Sequence, residues 1–337
     1  MSRPTIAEVA RAAGVSVASV SRVLNGLPAT EEMAERVQRA VGELGYVPDA
    51  RARSLKVGRT FQLTLAVADV GNPVYVTMMR AVESVVAAAG YRLVVTTTGP
   101  EIVDEVALVR GMARGYADGL VISPLRVDED LIKSIRECEV PVVVAGNVPA
   151  KAGVDTVRAN SPKGMLLAVD HLVSRGRRRI AFLNGPADTV PGTARAKGFA
   201  DALKTHGLEP AAVAEAADFT FTAGRAAAPE LLEGRGRTGS GSSAFDAVVC
   251  ANDLLAVGLM HELAAVGLLV PADVAVVGMD DSELAEQCFP TLTSVNLGSA
   301  ERGRRAAELL LARIEDSTRT PRRIVVQPAL SVRGSTP

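Results

Sequence analysis

The segment 16–25 combines one long basic side chain with small neighbours, a pattern that suits contact with nucleic acid. At helical spacing, Val17, Ala18, Ser21 and Arg22 fall on one outward face, and only Arg22 is long and charged. A guanidinium can donate two hydrogen bonds to guanine O6 and N7, and small neighbouring side chains let a helix enter the major groove. The alternative is a helical cap on a larger domain, in which this face is ordinary surface.

Polar side chains also follow four apolar runs further along the chain, at the point where each run ends. They are Ser123, Asn147, the pair Asn252 and Asp253, and Asp280. If these runs are parallel strands, their carboxyl ends lie at one edge of a sheet, where ligands bind in such folds. Amide, hydroxyl and carboxylate groups there suit a ligand rich in hydroxyl groups. For Asn252 and Asp253, capping of the following helix is the alternative interpretation.

Three short helices are predicted to carry the basic face. A capping box at Thr5 and Glu8 begins the first helix, Ser16 begins the second, and the third lies between Thr30 and Gly45. The first two helices, separated by a few residues, form a helix-turn-helix. With so few apolar residues, the three helices predict a compact trihelical unit.

A short basic segment follows this unit. Residues 49–56 (DARARSLK) can form about two helical turns, too few for a stable isolated helix. We expect the segment to order only when it pairs with another copy or presses onto DNA. Residues 1–59 contain nine basic and six acidic residues, which leaves a charge of +3 there and −4 on the remainder. A local positive excess favours a polyanionic partner.

From about residue 61, apolar runs alternate with amphipathic segments. Alternation of strands and helices predicts an α/β fold with a doubly wound parallel sheet. The alternation restarts near residue 161, so the sequence predicts two similar subdomains with a cleft between them.

Four spaced motifs near the N-terminus resemble the DNA-reading head of the lactose-repressor/galactose-repressor (LacI/GalR) family. They are 5–10 (TIAEVA), 14–26 (GVSVASVSRVLNG), 44–48 (LGYVP) and 52–56 (ARSLK). The resemblance implies that Val17, Ala18 and Arg22 contact base edges. It implies a hinge helix in which Leu55 wedges into the minor groove, with Lys56 as a further DNA contact. The expected phosphate contacts are Thr5, Ser16, Ser21 and Asn25.

The resemblance extends over the rest of the chain. Residues 72–75 (NPVY) look like the family's first cleft loop, Arg195 like its ligand-binding arginine, Asp280 like its carboxylate and Phe219 like its aromatic ring. The expected ligand-binding residues are Tyr75, Ser123, Asn147, Arg195, Phe219, Asn252 and Asp280. For Arg195 and Asp280, a purely structural ion pair is the alternative. The chain departs from the family at 157–160 (VRAN), where an acid commonly precedes the Asn.

The resemblance implies an all-α helix-turn-helix domain followed by a core like that of periplasmic binding proteins, made of two doubly wound parallel-sheet subdomains. The expected boundaries are 1–48 for the DNA-binding domain, 49–60 for the hinge and 61–337 for the effector-binding and dimerisation core. Within the core, we expect about 61–160 and 294–320 in the first subdomain, and about 161–293 and 321–337 in the second.

The resemblance further implies a homodimeric transcriptional repressor that binds a palindromic operator and responds to a small molecule in the cleft. A sugar is the leading effector, and a purine-like compound is compatible with the same scaffold. No cofactor and no metal are expected.

Two other classes of protein share this type of core. One is the solute-binding component of a transporter, which the N-terminal reader and the lack of an export signal argue against. The other is an enzyme, but the sequence contains no nucleophile elbow, no phosphate-binding Gly-Lys loop and no metal-ligand cluster. The three cysteines have no CxxC spacing, and no apolar run is long enough to span a membrane. We therefore expect a cytoplasmic protein without enzymatic activity.

Overall fold

A computed structural model of the chain describes residues 4–47, 58–99, 101–233 and 245–337. The chain divides into two compact units, 1–60 and 61–337. Leu55, Lys56 and most of the expected hinge lie outside the described residues, so their roles stay predictions. None of the helices in the described ranges is long and apolar enough to cross a membrane.

In the described part of the first unit there are three helices, and each begins at the predicted cap. The hydroxyl groups of Thr5, Ser16 and Thr30 each accept a hydrogen bond from a backbone amide in the first turn. Val20 and Val37 are fully buried in the small core between the helices, which turns the opposite side of the second helix outward. The helices are α1 (Ile6–Ala13), α2 (Val17–Leu24) and α3 (Glu31–Leu44).

The first subdomain of the second unit is built on one parallel sheet. Its strands are β1 (Gln62–Val67), β2 (Arg92–Thr97), β3 (Leu120–Ser123), β4 (Val142–Val144), β5 (Asp155–Ala159) and β11 (Arg323–Val326). They lie in the order β11-β5-β4-β3-β1-β2. Its helices are α4 (Pro73–Ala88), α5 (Ile102–Gly111), α6 (Glu129–Arg136) and α12 (Ser299–Glu315). The central strands are apolar on both faces because helices cover both sides of a parallel sheet.

The second subdomain repeats this plan. Its strands are β6 (Ile180–Asn184), β7 (Val213–Glu215), β8 (Ala247–Cys250), β9 (Ala275–Met279), β10 (Thr293–Asn296) and β12 (Ala329–Ser331). They lie in the order β12-β10-β9-β8-β6-β7, and β12 alone among them runs antiparallel to its neighbour. Its helices are α7 (Ser161–Ser174), α8 (Val190–Thr205), α9 (Phe221–Glu233), α10 (Asp253–Ala265) and α11 (Glu283–Gln287).

Two strands lie on the other side of the expected subdomain boundaries. Residues 294–320 were expected in the first subdomain, but β10 pairs with β9 in the second sheet. Residues 321–337 were expected in the second, but β11 pairs with β5 in the first sheet. The local pattern of such short runs does not show which distant strand they pair with. The chain consequently crosses between the subdomains after β5, after β10 and after β11.

The residues after β12 complete the second sheet. Ser335 is fully buried, and its hydroxyl group donates to the carbonyl oxygen of Val276 over 2.6 Å. The same hydroxyl oxygen accepts a hydrogen bond from the amide of Thr293 over 2.8 Å. This chain end is therefore an integral part of the second subdomain.

Candidate functional site

The carboxyl ends of the two parallel sheets border one cavity of about 190 Å³. All seven side chains predicted to bind a ligand line it. Those from the first subdomain are Tyr75, Ser123 and Asn147; those from the second are Arg195, Phe219, Asn252 and Asp280. The strand ends bring these residues together although they are far apart in the sequence.

Arg195 and Asp280 form a buried ion pair, with Nη2 of Arg195 3.5 Å from Oδ1 of Asp280. Nη1 of Arg195 donates to the carbonyl oxygen of Ala251 over 2.7 Å, and the guanidinium lies 5.7 Å from the ring centre of Phe219. The structural ion pair offered as the alternative is therefore present, and both partners also line the cavity. Nε of Arg195 is buried and has no hydrogen-bond partner in the part of the chain that the structure describes.

Asp280 adopts a backbone φ of 112°, a region that residues other than glycine rarely occupy. Its amide donates to the carbonyl oxygen of Val295 over 2.9 Å, which holds the turn after β9 against β10. Such backbone strain costs roughly 1–3 kcal/mol and is concentrated at functional sites. Burial raises the pKa of the Asp280 carboxyl, while Arg195 and Arg302 act in the opposite direction.

Asn252 and Asp253 have different roles. Asn252 caps α10 through a 2.9 Å hydrogen bond from the amide of Leu255, and its amide group donates to the carbonyl oxygen of Phe219. The capping interpretation is therefore correct for Asn252, which also lines the cavity. Asp253 does not cap: its carboxylate accepts hydrogen bonds from the amide and hydroxyl of Ser282 and from the hydroxyl of Ser294. It thereby anchors the loop that carries Asp280.

The first subdomain contributes weaker hydrogen-bonding groups. The hydroxyl of Ser123 donates to the carbonyl oxygen of Ala145 over 3.1 Å, and Ser123 also interacts with the phenol of Tyr75. Burial raises the pKa of Tyr75, so this phenol stays a neutral donor and acceptor. Asn147 is exposed at the cavity mouth.

Four further polar residues line the cavity outside the predicted set: Asn72, Arg158, Ser161 and Arg302. Asn72 and Ser161 lie at the starts of helices, and Arg158 lies near the carboxyl end of β5, so position in the sequence could have indicated these three. Arg302 belongs to the first turn of α12, and only the crossing of the chain after β10 brings that helix to the cavity. No local sequence signal distinguishes it from the other arginines of α12.

A buried carboxyl group, that of Glu105 on α5, supports the cavity wall. Glu105 is 2% exposed; Oε1 accepts a hydrogen bond from the amide of Leu125, which lines the cavity, and Oε2 has no partner among the described atoms. Burial raises the pKa of Glu105 from 4.5 to about 7.

We expect Glu105→Gln to raise the free energy of unfolding relative to the wild type, and to raise it more at pH 8.5 than at pH 5. The raised pKa means that the folded state holds this proton more tightly than the unfolded state, so the stability due to the neutral carboxyl is lost as the pH rises through about 7. Glutamine keeps the acceptor and cannot ionise. The difference in the free energy of unfolding between variant and wild type should change by on the order of 1–3 kcal/mol between these pH values. Urea unfolding at each pH measures it. A difference independent of pH would contradict this expectation.

The predicted DNA-contacting residues lie on or beside α2. Val17, Ala18 and Arg22 are exposed on its outward face, and Ser21 is half-buried there. The remaining predicted contacts, Thr5, Ser16 and Asn25, are exposed at helix ends. Among the described atoms, the guanidinium of Arg22 reaches only the carbonyl oxygen of Pro28, at 3.5 Å, and so can meet another acceptor.

Comparisons with known proteins agree with both units. Residues 5–49 match the family model for bacterial regulatory proteins of the lacI family, and residues 169–336 match that for a periplasmic binding protein-like domain. The chain is 37% identical over 346 residues to the HTH-type transcriptional regulator CelR of Thermobifida fusca, covering 99% of this chain and 98% of that protein. It is 34% identical over 337 residues to the Ribose operon repressor of Escherichia coli, covering 98% and 99%.

The fold agrees equally well with a solved regulator. The crystal structure of the lac repressor dimer bound to operator and the anti-inducer ONPF matches with a TM-score of 0.88 and 26% identity, covering 99% of both chains. The family models, the relatives and the solved structure together match nearly the entire sequence of this chain. The chain therefore belongs to the LacI family of bacterial regulatory proteins.

Proposed function

We propose that this protein is a homodimeric transcriptional repressor whose affinity for a palindromic operator depends on a small effector in the cavity between its subdomains. The observation that carries the proposal is the convergence of seven side chains, predicted from separate parts of the sequence, on one cavity. In this proposal, the exposed face of α2 contacts the operator. A cytoplasmic location, where the operator is, belongs to the proposal, as does the absence of enzymatic activity.

Each half of the dimer reads one half of the operator. Arg22 recognises guanine through O6 and N7, and Val17 and Ala18 offer apolar contact to a thymine methyl group. Thr5, Ser16, Ser21 and Asn25 hold phosphates and set the position of α2 without reading sequence. A two-fold dimer presents two such helices, and this symmetry matches a palindrome.

The effector acts through contacts between the two subdomains. Arg126 of the first subdomain forms a bidentate ion pair with Asp188 of the second, the shorter contact being 2.8 Å. The amide of Val190 also donates to the carbonyl oxygen of Leu125 over 2.7 Å, across the same gap. An effector that contacts both sides adds to these bonds and favours the closed arrangement. Coupling of this kind is typically worth about 1–3 kcal/mol.

A sugar is the favoured effector. Asp280, Asn252 and Ser123 can each hydrogen-bond hydroxyl groups, and Phe219 and Tyr75 offer apolar faces to a ring. The name of the Ribose operon repressor, with which this chain is colinear, points in the same direction. The transporter alternative is not favoured because the chain carries the lacI-type DNA-binding region at 5–49.

The test combines operator selection with an effector screen on the full chain. DNA bound by the purified protein is selected from a random library, and sugars, sugar phosphates, nucleosides and purine bases are screened by thermal shift. We expect a palindromic site, and a ligand that changes operator affinity by roughly 5- to 150-fold. A ligand that binds without changing operator affinity, or the absence of DNA selection, would contradict the proposal.

A further inference from the structure

The cavity contains more positive than negative side chains. Three arginines line it, Arg158, Arg195 and Arg302, whereas Asp280 is the one carboxylate among the described lining residues. Asp280 is paired with Arg195 at 3.5 Å. Arg302 also interacts electrostatically with the Asp280 carboxyl, but among the described residues it forms no ion pair with it, and Arg158 has no carboxylate partner in the cavity wall.

These two arginines also make few hydrogen bonds. Arg302 donates one hydrogen bond, from Nη2 to the hydroxyl of Ser299 over 3.3 Å, and its Nε is buried without a partner among the described atoms. Within the described ranges, the guanidinium of Arg158 has neither a hydrogen bond nor an ion pair. Nε of Arg195, a residue only 7% exposed, is also unpartnered. Buried donors without acceptors are costly, so Nε of Arg195 and Nε of Arg302 favour a ligand that supplies acceptors. The guanidinium of Arg158 is only half-buried and contributes positive charge.

Two further buried carboxyl groups do not neutralise the excess of positive charge in the cavity. Glu105 and Asp253 do not line the cavity, and burial raises the pKa of each to about 7, so neither carries a full negative charge at neutral pH. The Asp253 carboxylate is in addition occupied by the hydroxyl groups of Ser282 and Ser294. Arg126, near the cavity, is already paired with Asp188.

The cavity is also small. Its volume of about 190 Å³ lies below the roughly 300–1,000 Å³ of sites for drug-sized ligands. Hydroxyl-binding groups and a positive charge therefore share a space suited to one compact molecule rather than to a sugar chain.

We infer that the effector is an anionic sugar, a compact polyhydroxylated molecule whose carboxylate or phosphate lies against Arg158 and Arg302. This inference rests on the proposed function, since it names the ligand of the same cavity. The planar guanidinium can donate two parallel hydrogen bonds to either anion, while Asp280 and the neutral polar groups hold the hydroxyls.

Calorimetric titration of the full chain with matched ligands tests the inference. The ligands are glucose, glucuronate and glucose 6-phosphate; galactose, galacturonate and galactose 6-phosphate; and ribose, ribonate and ribose 5-phosphate. We expect one anionic member to bind roughly 10- to 100-fold more tightly than its neutral parent. A carboxylate or a phosphate preference identifies the anion. A neutral sugar that binds as tightly as its anionic forms, or no anionic ligand that binds at all, would overturn the inference.

Variants locate the anion within the cavity. Arg302→Gln and Arg158→Gln should each reduce the preference for the anionic ligand over its neutral parent about tenfold or more. Arg114→Gln, which removes an exposed arginine away from the cavity, should leave the preference intact. A preference that survives both cavity variants contradicts the assignment.

Operator titration separates this inference from the proposed function. If an anionic sugar binds but operator affinity does not change, the proposed function fails and the ligand assignment holds. If a neutral sugar alone changes operator affinity, the ligand assignment fails and the proposed function holds.

Discussion

Replacing Arg22 by alanine is expected to weaken operator binding by the dimer roughly 30- to 20,000-fold. Arg22 is the one long base on the exposed face of α2, and a bidentate contact to guanine contributes about 1–3 kcal/mol of discrimination. The dimer makes the contact twice, so the free-energy loss doubles. Fluorescence anisotropy with the selected operator measures the change.

Two control variants distinguish base recognition from simple charge. Arg22→Lys keeps the charge but lacks the planar guanidinium. Relative to Arg22→Ala, it should restore non-specific DNA binding more than operator binding. Arg39→Ala removes an exposed charge from α3, away from the reading face, and should cost less than tenfold. Equal losses for Arg22→Ala and Arg39→Ala would show that Arg22 does not read a base.

The second large effect is expected at Asp280. Asp280→Ala should destabilise the second unit by about 3–5 kcal/mol, because the guanidinium of Arg195 then remains buried without its carboxylate. The same change removes a hydrogen-bond acceptor from the cavity, so the melting shift caused by the effector should disappear. Urea unfolding and thermal shift measure the two effects.

The ion pair itself is tested by the double variant. Arg195→Ala with Asp280→Ala should be less destabilising than the sum of the two single changes, because the uncompensated buried charge is gone. Asp201→Ala, which removes an exposed carboxylate from α8, serves as the control and should change neither stability nor effector response by more than about 0.5 kcal/mol. Additive effects at Arg195 and Asp280 would contradict the pairing.

The sequence predicted the parts of this protein that depend on local pattern. The caps at Thr5, Ser16 and Thr30 are present because a hydroxyl before a helical run satisfies the first amides wherever the helix lies. The cavity residues at strand ends were predicted because parallel strands bring their carboxyl ends to one edge. The family resemblance added Arg195 and Phe219, which strand ends alone do not indicate.

What the sequence could not predict depends on contacts between distant segments. Arg302 reaches the cavity because α12 follows a crossing between sheets, and neither the crossing nor the pairing of β10 and β11 is visible in local periodicity. Asp253 looked like a helix cap, but its carboxylate binds Ser282 and Ser294 instead. Each of these misses involves long-range pairing rather than the type of an element.

The contribution of residues 329–336 to the second sheet has a consequence for biosynthesis. β12 pairs with β10, and Ser335 is bonded to both Val276 and Thr293, so the second subdomain takes its final partners from residues that are translated after all of its other strands. The helices of the first unit and much of the first sheet can form as the chain emerges from the ribosome, because domains fold in N-terminal order during synthesis. The second subdomain must wait with an unpaired strand edge, which is an exposed template for aggregation. Newly made chains are thus most vulnerable in the interval between the appearance of β10 and the docking of β12.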